Sequence, residues 1–309
     1  MKERKSMKER LKASIDLTRA HFFPIWPLLF CSGLFLAFRN YGGFSWSLTI
    51  KAALIGLFGL EAGLVLNDYV DRDRDRRDVE PWLTRYWRLF KERPIPSGFI
   101  SLKTAFKTFL FLTGITSVLI FTLPYPNSLY VFAIMLYAYG IEVFYQVKKR
   151  RQKYPLAQLL GRTDLAFFPA AGYLCYGQPD MTALFYILFF YPWTMAHLAV
   201  NDLADFANDQ ARGMKSLAVL YGIKGTLYWI TGFTLVHFLF GAFFIKEILN
   251  TGLHDFIYGF LLGFLLLLGA NIYLLRKKSP EAGLKMLPFF HGTLLIYVVS
   301  IILSVYFGH

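Results

Sequence analysis

Residues 67–75 of this chain read NDYVDRDRD, and residues 201–209 read NDLADFAND. Both stretches fit the pattern N-D-x-x-D-x-x-x-D, they begin 134 residues apart, and each ends a long apolar stretch. Clustered carboxylates repel one another unless cations neutralise them, and oxygen ligands suit a hard cation such as Mg²⁺ that also binds substrate phosphates. The doubled pattern therefore predicts two halves of one anionic, metal-binding site at a membrane face.

The spacing within each copy selects four side chains. On an α-helix, residues at offsets 0, 1, 4 and 8 lie within an arc of about 100°, so they share one face. The predicted metal ligands are Asn67, Asp68, Asp71 and Asp75 in the first copy, and Asn201, Asp202, Asp205 and Asp209 in the second. Asp73 falls on the opposite side and is excluded. A solvated helix end of mixed charge is the alternative for either copy alone, but two identical copies at matching membrane ends favour a site.

The composition is typical of a polytopic membrane protein. Of the 309 residues, 56% are hydrophobic and 18% are aromatic, and the mean hydropathy is +0.43. Cys31 and Cys175 both lie in apolar stretches, which excludes a disulfide framework and predicts packing roles. The net charge of +13 brings nucleic acid into consideration, but charge held in the short loops of so apolar a chain is better explained by membrane topology. We predict no nucleic-acid partner.

Nine apolar segments are long enough to be transmembrane helices. They are residues 17–38, 47–67, 102–123, 128–147, 155–177, 183–201, 226–245, 253–275 and 286–307. The connections on one side carry 26 Lys or Arg residues, and those on the other side carry two. The positive-inside rule therefore places the N-terminus and both acidic motifs in the cytoplasm, and nine spans place the C-terminus outside. We predict a multi-pass, all-α integral membrane protein of the cell membrane.

A second similarity predicts a tandem repeat. Residues 19–24 read RAHFFP and residues 162–169 read RTDLAFFP, and each opens a span that is followed one span later by an N-D motif. Repeats related by an axis along the membrane normal place corresponding elements on the same side, so the two motifs would meet across a central cavity. We predict one domain over 1–309. Its parts are a basic cytoplasmic segment at 1–16, repeat halves at 17–154 and 155–285, and a ninth helix at 286–309.

Basic turns follow both motifs. Arg93 opens RPIPSG at 93–98, and Lys215 lies in RGMKSLAVLYG at 212–222. Cations just beyond a carboxylate cluster suit a ligand whose phosphate is bridged by metal. The basic, aromatic loop over residues 76–100 is predicted to be either an interfacial aromatic belt or a cytoplasmic lid over phosphates.

Several ionisable side chains lie within the predicted spans, where such groups are costly and often functional. Arg19 lies near the cytoplasmic end of the first span, and we predict that it points into the cavity. Glu61, Glu142 and His197 are as compatible with packing roles as with functional ones.

From Arg19 to Gly222, in order, these motifs resemble the UbiA superfamily of intramembrane prenyltransferases. The resemblance rests on 67–75, on the turn at 93–98, on 202–209 and on the tail Gly213…Ser216-Leu217-Ala218…Gly222. It implies nine transmembrane helices around a central cavity with a cytoplasmic cap. It also implies that Mg²⁺ on the two motifs binds the diphosphate of a polyprenyl donor, whose prenyl group passes to an acceptor with release of pyrophosphate.

The same resemblance implies roles residue by residue. The catalytic residues would be Asp68, Asp71, Asp75, Asp202, Asp205 and Asp209. The diphosphate-binding residues would be Arg19, Arg93, Tyr145, Lys149 and Lys215, with Tyr145 and Lys149 matching a Tyr-x-x-x-Lys element. Two departures stand out. The 17 residues between Asp75 and Arg93 are more than many members have, and Ser216 replaces a familiar threonine.

The acceptor stays open at this point. Hydroxybenzoate, dihydroxynaphthoate, homogentisate, geranylgeranylglyceryl phosphate, chlorophyllide and haem are all acceptors in the family, and we expect an aromatic one because that case is commoner. Two other functions compete. A CDP-alcohol phosphotransferase would carry a D-G-x-x-A-R signature, which neither motif fits. A transporter or a non-enzymatic cation-binding membrane protein would favour charges at the membrane midplane rather than at span ends.

Overall fold

Helices account for most of residues 6–308, the part of the chain that the computed structural model describes. A single 3₁₀ turn, Ala20–Phe22, joins the first helix to the second. The thirteen α-helices of this part are α1 Met7–Thr18, α2 Ile25–Tyr41, α3 Trp46–Asp75, α4 Trp82–Trp87, α5 Leu102–Phe121, α6 Asn127–Lys148, α7 Leu156–Gly161, α8 Thr163–Tyr173, α9 Met181–Ala204, α10 Phe206–Arg212, α11 Leu217–Leu249, α12 Phe256–Lys277 and α13 Pro280–Phe307. Of the predicted basic segment at 1–16, residues 1–5 lie outside the described residues.

Within 6–308, eight helices are long and apolar enough to cross a membrane, so the protein is an all-α, multi-pass integral membrane protein. The predicted span at 155–177 differs from the others. It breaks at Arg162 into α7 and α8, and the 11 residues of α8 rise only about 16 Å, roughly half of a bilayer core. The predicted nine spans are therefore eight full-length helices and one short, broken one.

The two acidic motifs differ in backbone structure. Helix α3 runs for 30 residues without interruption and carries the whole first motif in its last turns. Helix α9 instead ends at Ala204, and Asp205, with φ −100° and ψ 13°, separates it from α10. Helix α13 packs closely here, because a Cβ on Gly283 would lie 3.0 Å from the Ala204 nitrogen. The prediction of one regular helical face is therefore confirmed for the first copy and wrong for the second.

Both motifs lie at the same end of the helix bundle. Arg74, in the first motif, donates a hydrogen bond to the main-chain oxygen of Arg212 at 2.8 Å, just beyond the second motif. At the opposite end, Tyr41 donates to Asp180 at 2.6 Å, and Tyr176 donates to the carbonyl of Gly42 at 2.9 Å. The connections that follow the two motifs therefore share one end of the bundle, and the connections at 39–46 and 178–182 share the other end, as predicted.

Close backbone contact joins α2 to α8. A Cβ on Gly33 would lie 1.9 Å from the carbonyl oxygen of Pro169, and one on Gly172 would lie 1.8 Å from that of Phe30. Because lipid is as apolar as the helices themselves, such close packing and interhelical hydrogen bonds hold membrane helices together. The first helices of the two predicted repeat halves thus pack directly on each other through glycine.

Candidate active site

A central cavity of about 260 Å³ lies between the helices, below the end that carries both motifs. One row of each motif lines it: Asn67, Asp71 and Asp75 from α3, and Asn201 with Asp205 from α9 and its end. These positions are four residues apart, so they follow one another along a helix face. Asp68, Asp202 and Asp209 stand beside the row and contact neighbouring elements instead.

Asp68 is held between two arginines. Its Oδ1 lies 2.9 Å from Arg19 Nη2, and its Oδ2 lies 2.7 Å from Arg88 Nη2. Both arginines line the cavity, so the expected inward position of Arg19 is confirmed. Asp68 itself is 2% exposed, and it contacts both of these cations at the cavity wall.

The other first-motif carboxylates are paired with cations from three different segments. Lys149 Nζ, just past α6, lies 3.1 Å from Asp71, and Arg93 Nη1 lies 2.6 Å from Asp75. Burial lowers the pKa of Lys149, but attraction by Asp71, Tyr145 and Asp209 together outweighs it, so the net shift is upward and Lys149 remains a cation. Its Nζ is also 4.7 Å from the ring centre of Tyr145.

The second motif is organised by Arg212. Its Nη1 lies 2.8 Å from Asp205 and 3.6 Å from Asp209, and its Nε lies 4.0 Å from Asp75 of the first motif. One guanidinium therefore connects the two motifs. Burial, followed by repulsion from Asp205 and Asp202, raises the pKa of Asp209 to about 8 despite the nearby arginine. Asp202 accepts a hydrogen bond from the Leu217 amide at 3.0 Å.

The two asparagines at the start of the motifs are held in place by neighbours. Asn67 donates to Glu142 at 2.6 Å, and Asn201 accepts from the indole nitrogen of Trp87 at 3.0 Å. Glu142 also lies 3.5 Å from Arg162, at the break before α8. Both Glu142 and His197 line the cavity, whereas the third candidate, Glu61, is buried outside it.

The long loop after the first motif forms a cap over this end of the cavity. Five of its residues line the cavity: Leu83, Thr84, Trp87, Arg88 and Arg93. Asp16 of α1 accepts a hydrogen bond from the Phe90 amide at 2.8 Å, and Asn208 accepts two from the amides of Val79 and Glu80 at 2.9 and 2.8 Å. The cap is therefore attached on one side to α1 and on the other to the second motif.

Four of the five predicted diphosphate-binding residues meet at the cavity. Arg19, Arg93, Tyr145 and Lys149 line it, whereas the side chain of Lys215 is exposed at the surface. Sequence reasoning assigned no role to Arg88, Arg162 or Arg212, although all three line the cavity. Of these three, only Arg212 could have been predicted from the sequence. It follows Asp205 by seven residues, a spacing that places two residues on the same side of a helix.

Comparison with known proteins identifies the family. The sequence profile described as the UbiA prenyltransferase family matches residues 25–305. The 4-hydroxybenzoate octaprenyltransferase of Marinomonas sp. strain MWYL1 is 30% identical over 264 residues, which cover 79% of this chain and 85% of that protein.

Solved structures show the same fold. The apo structure of a UbiA homolog from Aeropyrum pernix K1 has a TM-score of 0.71 at 18% identity, over 90% of this chain and 97% of that one. A UbiA homolog from Archaeoglobus fulgidus bound to DMAPP and Mg²⁺ has a TM-score of 0.62 at 16% identity, over 93% and 98%. Family membership sets aside both the phosphotransferase and the transporter. The chain belongs to the UbiA prenyltransferase family and is a membrane-embedded prenyltransferase.

Proposed function

We propose that this enzyme transfers a polyprenyl group from its diphosphate to an aromatic acceptor of the 4-hydroxybenzoate class, with Mg²⁺ and with release of pyrophosphate. One observation carries the proposal: carboxylates from both motifs and six cationic side chains converge on one cavity. The cations are Arg19, Arg88, Arg93, Lys149, Arg162 and Arg212. The similarity to a 4-hydroxybenzoate octaprenyltransferase supports the acceptor class.

The donor set suits Mg²⁺. Asp71, Asp75 and Asp205 bring carboxylate oxygens to the cavity, and Asn67 and Asn201 add amide oxygens. In the described part of the chain, no three His, Cys, Asp or Glu side chains are grouped around a cation position, and Asp71, Asp75 and Asp205 are each paired with Arg or Lys. Mg²⁺ commonly takes few protein carboxylates and completes its ligands with phosphate oxygens and water. These side chains could therefore hold Mg²⁺ together with a diphosphate, whose oxygens would in turn replace the aspartates as partners of the cations.

The rest of the cavity suits a hydrocarbon chain. Beyond the motifs, one wall of the cavity is aliphatic and comes from α3, α5 and α6. These residues are Ile55, Leu60, Leu64, Ile120, Val131, Ile134, Met135 and Ala138. A prenyl chain would lie along this wall while its diphosphate reaches the arginines at the capped end. The membrane-embedded position of the site follows from this division between an apolar chain and a charged head.

The chemistry follows from the charges. Bond cleavage between the allylic carbon and the diphosphate oxygen leaves an electron pair, and negative charge, on the pyrophosphate. Preorganised cations stabilise such developing charge, and bound Mg²⁺ would add Lewis-acid stabilisation. The acceptor's ring carbon then attacks the allylic carbon. Walls formed by Trp87, Tyr145 and Trp193 exclude water and offer aromatic faces to the cationic carbon.

The activity test uses purified protein in lipid nanodiscs with farnesyl diphosphate, Mg²⁺ and 4-hydroxybenzoate. The expected products are pyrophosphate and ring-farnesylated hydroxybenzoate, identified by mass spectrometry. A panel with dihydroxynaphthoate and homogentisate tests the acceptor class. Product from another acceptor alone would overturn the 4-hydroxybenzoate assignment, and the absence of pyrophosphate release with every acceptor would overturn the donor chemistry.

We also propose that the capped end faces the cytoplasm of a cell membrane, because 26 of the basic residues lie in connections on that side. Tyr154 is exposed at that end and Tyr125 at the other, whereas both native cysteines are buried. Spheroplasts treated with a membrane-impermeant maleimide should label Tyr125→Cys and leave Tyr154→Cys unlabelled until lysis. The reverse pattern would invert the proposed orientation.

A further inference from the structure

Two histidines from different helices meet at the cavity wall. His197 Nε2 on α9 lies 3.0 Å from His291 Nε2 on α13, and both residues line the cavity. His291 Nδ1 lies 2.5 Å from the hydroxyl oxygen of Tyr86 on α4. The three side chains form one continuous hydrogen-bonded chain, the Tyr86–His291–His197 chain, that leads from the cavity wall to the cap.

The pairing of two imidazoles couples their tautomers. One Nε2 must donate and the other must accept. Whether each ring nitrogen of the chain carries a proton is therefore determined by its hydrogen-bond neighbour. When Tyr86 donates to His291 Nδ1, His291 Nε2 donates to His197, whose Nδ1 then carries a proton. When the direction is reversed, His197 Nε2 donates and its Nδ1 has a free lone pair. A proton can therefore pass between His197 Nδ1 and Tyr86 without large movement of the rings.

Aromatic rings surround the chain on the cavity side. The Trp193 ring stacks on His197 at 5.0 Å with an interplanar angle of 5°, and the Trp87 ring meets His291 edge-on at 5.1 Å. Trp87 also donates to Asn201 of the second motif, so the chain lies next to the proposed diphosphate site. A planar aromatic acceptor would find both stacking surfaces and a proton acceptor at this wall.

A third histidine, His237, shows how a histidine with only a packing role is held in this protein. His237 is completely buried, and its Nδ1 donates a hydrogen bond to the carbonyl of Phe189. Its Nε2 is hydrogen-bonded to the Tyr297 hydroxyl, and the residue does not line the cavity. That is the environment of a structural histidine. His197 and His291 instead reach the cavity, and their third partner belongs to the cap.

The proposed reaction requires a proton acceptor. When a ring carbon of the acceptor bonds to the allylic carbon, ring π electrons form the new carbon–carbon bond. The electron pair of the ring C–H bond must then restore aromaticity, and its proton must leave. We propose that His197 Nδ1 takes this proton and that the Tyr86–His291–His197 chain carries a proton to the cap. This inference rests on the proposed function.

The transfer balances along the chain. His197 gains a proton at Nδ1 and gives its Nε2 proton to His291 Nε2, and His291 gives its Nδ1 proton to the Tyr86 oxygen. Tyr86 gives its own proton to water at the cap, where its side chain is half-buried. His197 is then the catalytic residue that touches the acceptor, whereas His291 and Tyr86 act through it.

The test measures farnesylation of 4-hydroxybenzoate that carries deuterium at ring carbons 3 and 5, using the full-length protein in nanodiscs. The variants are His197→Gln, His291→Gln and Tyr86→Phe, and His237→Gln is the matched control. Loss of a positioned base commonly costs about a hundredfold or more in rate, so we expect that loss for His197→Gln and smaller losses for the other two. Proton removal becomes rate-limiting, so a deuterium isotope effect absent from the wild type should appear in all three variants.

Binding of inorganic pyrophosphate with Mg²⁺, measured by calorimetry, separates this role from general damage. It should be unchanged in the three variants and in His237→Gln. Variants that prenylate at wild-type rates, or that slow without an isotope effect, would overturn the proton-transfer role. Wild-type protein that cleaves farnesyl diphosphate yet prenylates no aromatic acceptor would overturn the proposed acceptor class and the role of the chain with it, whereas a failure confined to the variants concerns the chain alone.

Discussion

Arg88 Nη2 lies 2.7 Å from Asp68 Oδ2, and the two side chains are 2% and 3% exposed. The same guanidinium donates to the main-chain oxygen of Asp16 at 2.5 Å. One buried arginine thus attaches the cap to both α1 and α3. Buried charges of this kind are tolerated only while they are paired, because desolvation of an isolated charge costs more than packing returns.

Replacement of Arg88 by alanine should therefore destabilise the protein strongly. In this variant Asp68 stays buried but loses one of its two cationic partners. We expect the free energy of unfolding to fall by about 3–5 kcal/mol. Arg85→Ala is the matched control, because Arg85 is exposed and its guanidinium lies 5.1 Å from the Trp82 ring centre. Unfolding in detergent, followed by intrinsic fluorescence, measures both variants. Equal losses in the two would contradict the proposed attachment.

The division of the first motif into cavity and surface side chains predicts opposite outcomes for two neighbouring aspartates. Asp71 lines the cavity, whereas the side chain of Asp73 is 69% exposed and its partner Arg72 lies 3.7 Å away. Asp71→Asn should reduce prenyl transfer by about a hundredfold or more, because it removes a carboxylate proposed to hold the Mg²⁺ that stabilises the leaving pyrophosphate. Asp73→Asn should leave the rate nearly unchanged. A comparable loss for Asp73→Asn would show that the exposed side of α3 also takes part.

Pairing of the motif carboxylates with cations predicts that Mg²⁺ and diphosphate bind cooperatively. Metal binding at the proposed site would require Asp75 and Asp205 to be released from Arg93 and Arg212, and diphosphate binding would require the same arginines to be released from the aspartates. Each ligand therefore prepares the site for the other. Pyrophosphate should bind at least about tenfold more tightly with Mg²⁺ than with EDTA, a coupling free energy of about 1.4 kcal/mol or more.

Calorimetry on the purified protein measures this coupling in both directions, because the two ligands must enhance each other equally. Arg212→Ala should weaken pyrophosphate binding in Mg²⁺, and Lys215→Ala, which changes an exposed side chain, should not. Equal pyrophosphate affinities in Mg²⁺ and in EDTA would contradict the exchange of partners.

The glycine contact between α2 and α8 predicts a packing defect. A Cβ on Gly33 would overlap the carbonyl oxygen of Pro169, and backbone atoms cannot rotate away as a side-chain tip can. Gly33→Ala should therefore force the helices apart and lower the free energy of unfolding by about 1–3 kcal/mol. Gly114→Ala is the control, because a Cβ there meets no atom within 4 Å. Thermal unfolding in detergent compares the two, and a stable Gly33→Ala protein would contradict the close approach.

Much of the architecture follows from the sequence alone. Apolar stretches of membrane length predict helices because each helix satisfies its own backbone hydrogen bonds in lipid. The charge of the connections then correctly predicted that residues 67–75 and 201–209 share one end of the bundle. The spacing of the motifs also placed Asn67, Asp71 and Asp75 on one face of α3, because the positions of a helix face depend only on its own period. It did not separate them from Asp68, Asp202 and Asp209, which do not line the cavity. The predicted repeat remains a prediction.

Only the tertiary structure decided which side chains meet. Next to the break at Asp205, α13 approaches through Gly283, which is about 80 residues away in sequence. The partners of Asp68, the bridging position of Arg212 and the contact between His197 and His291 likewise join segments that are distant along the chain. Local periodicity carries no information on such pairs, because their distances are determined by how the helices pack. The doubled motif thus predicted where the proposed site lies, and packing determined which cations, histidines and cap residues surround it.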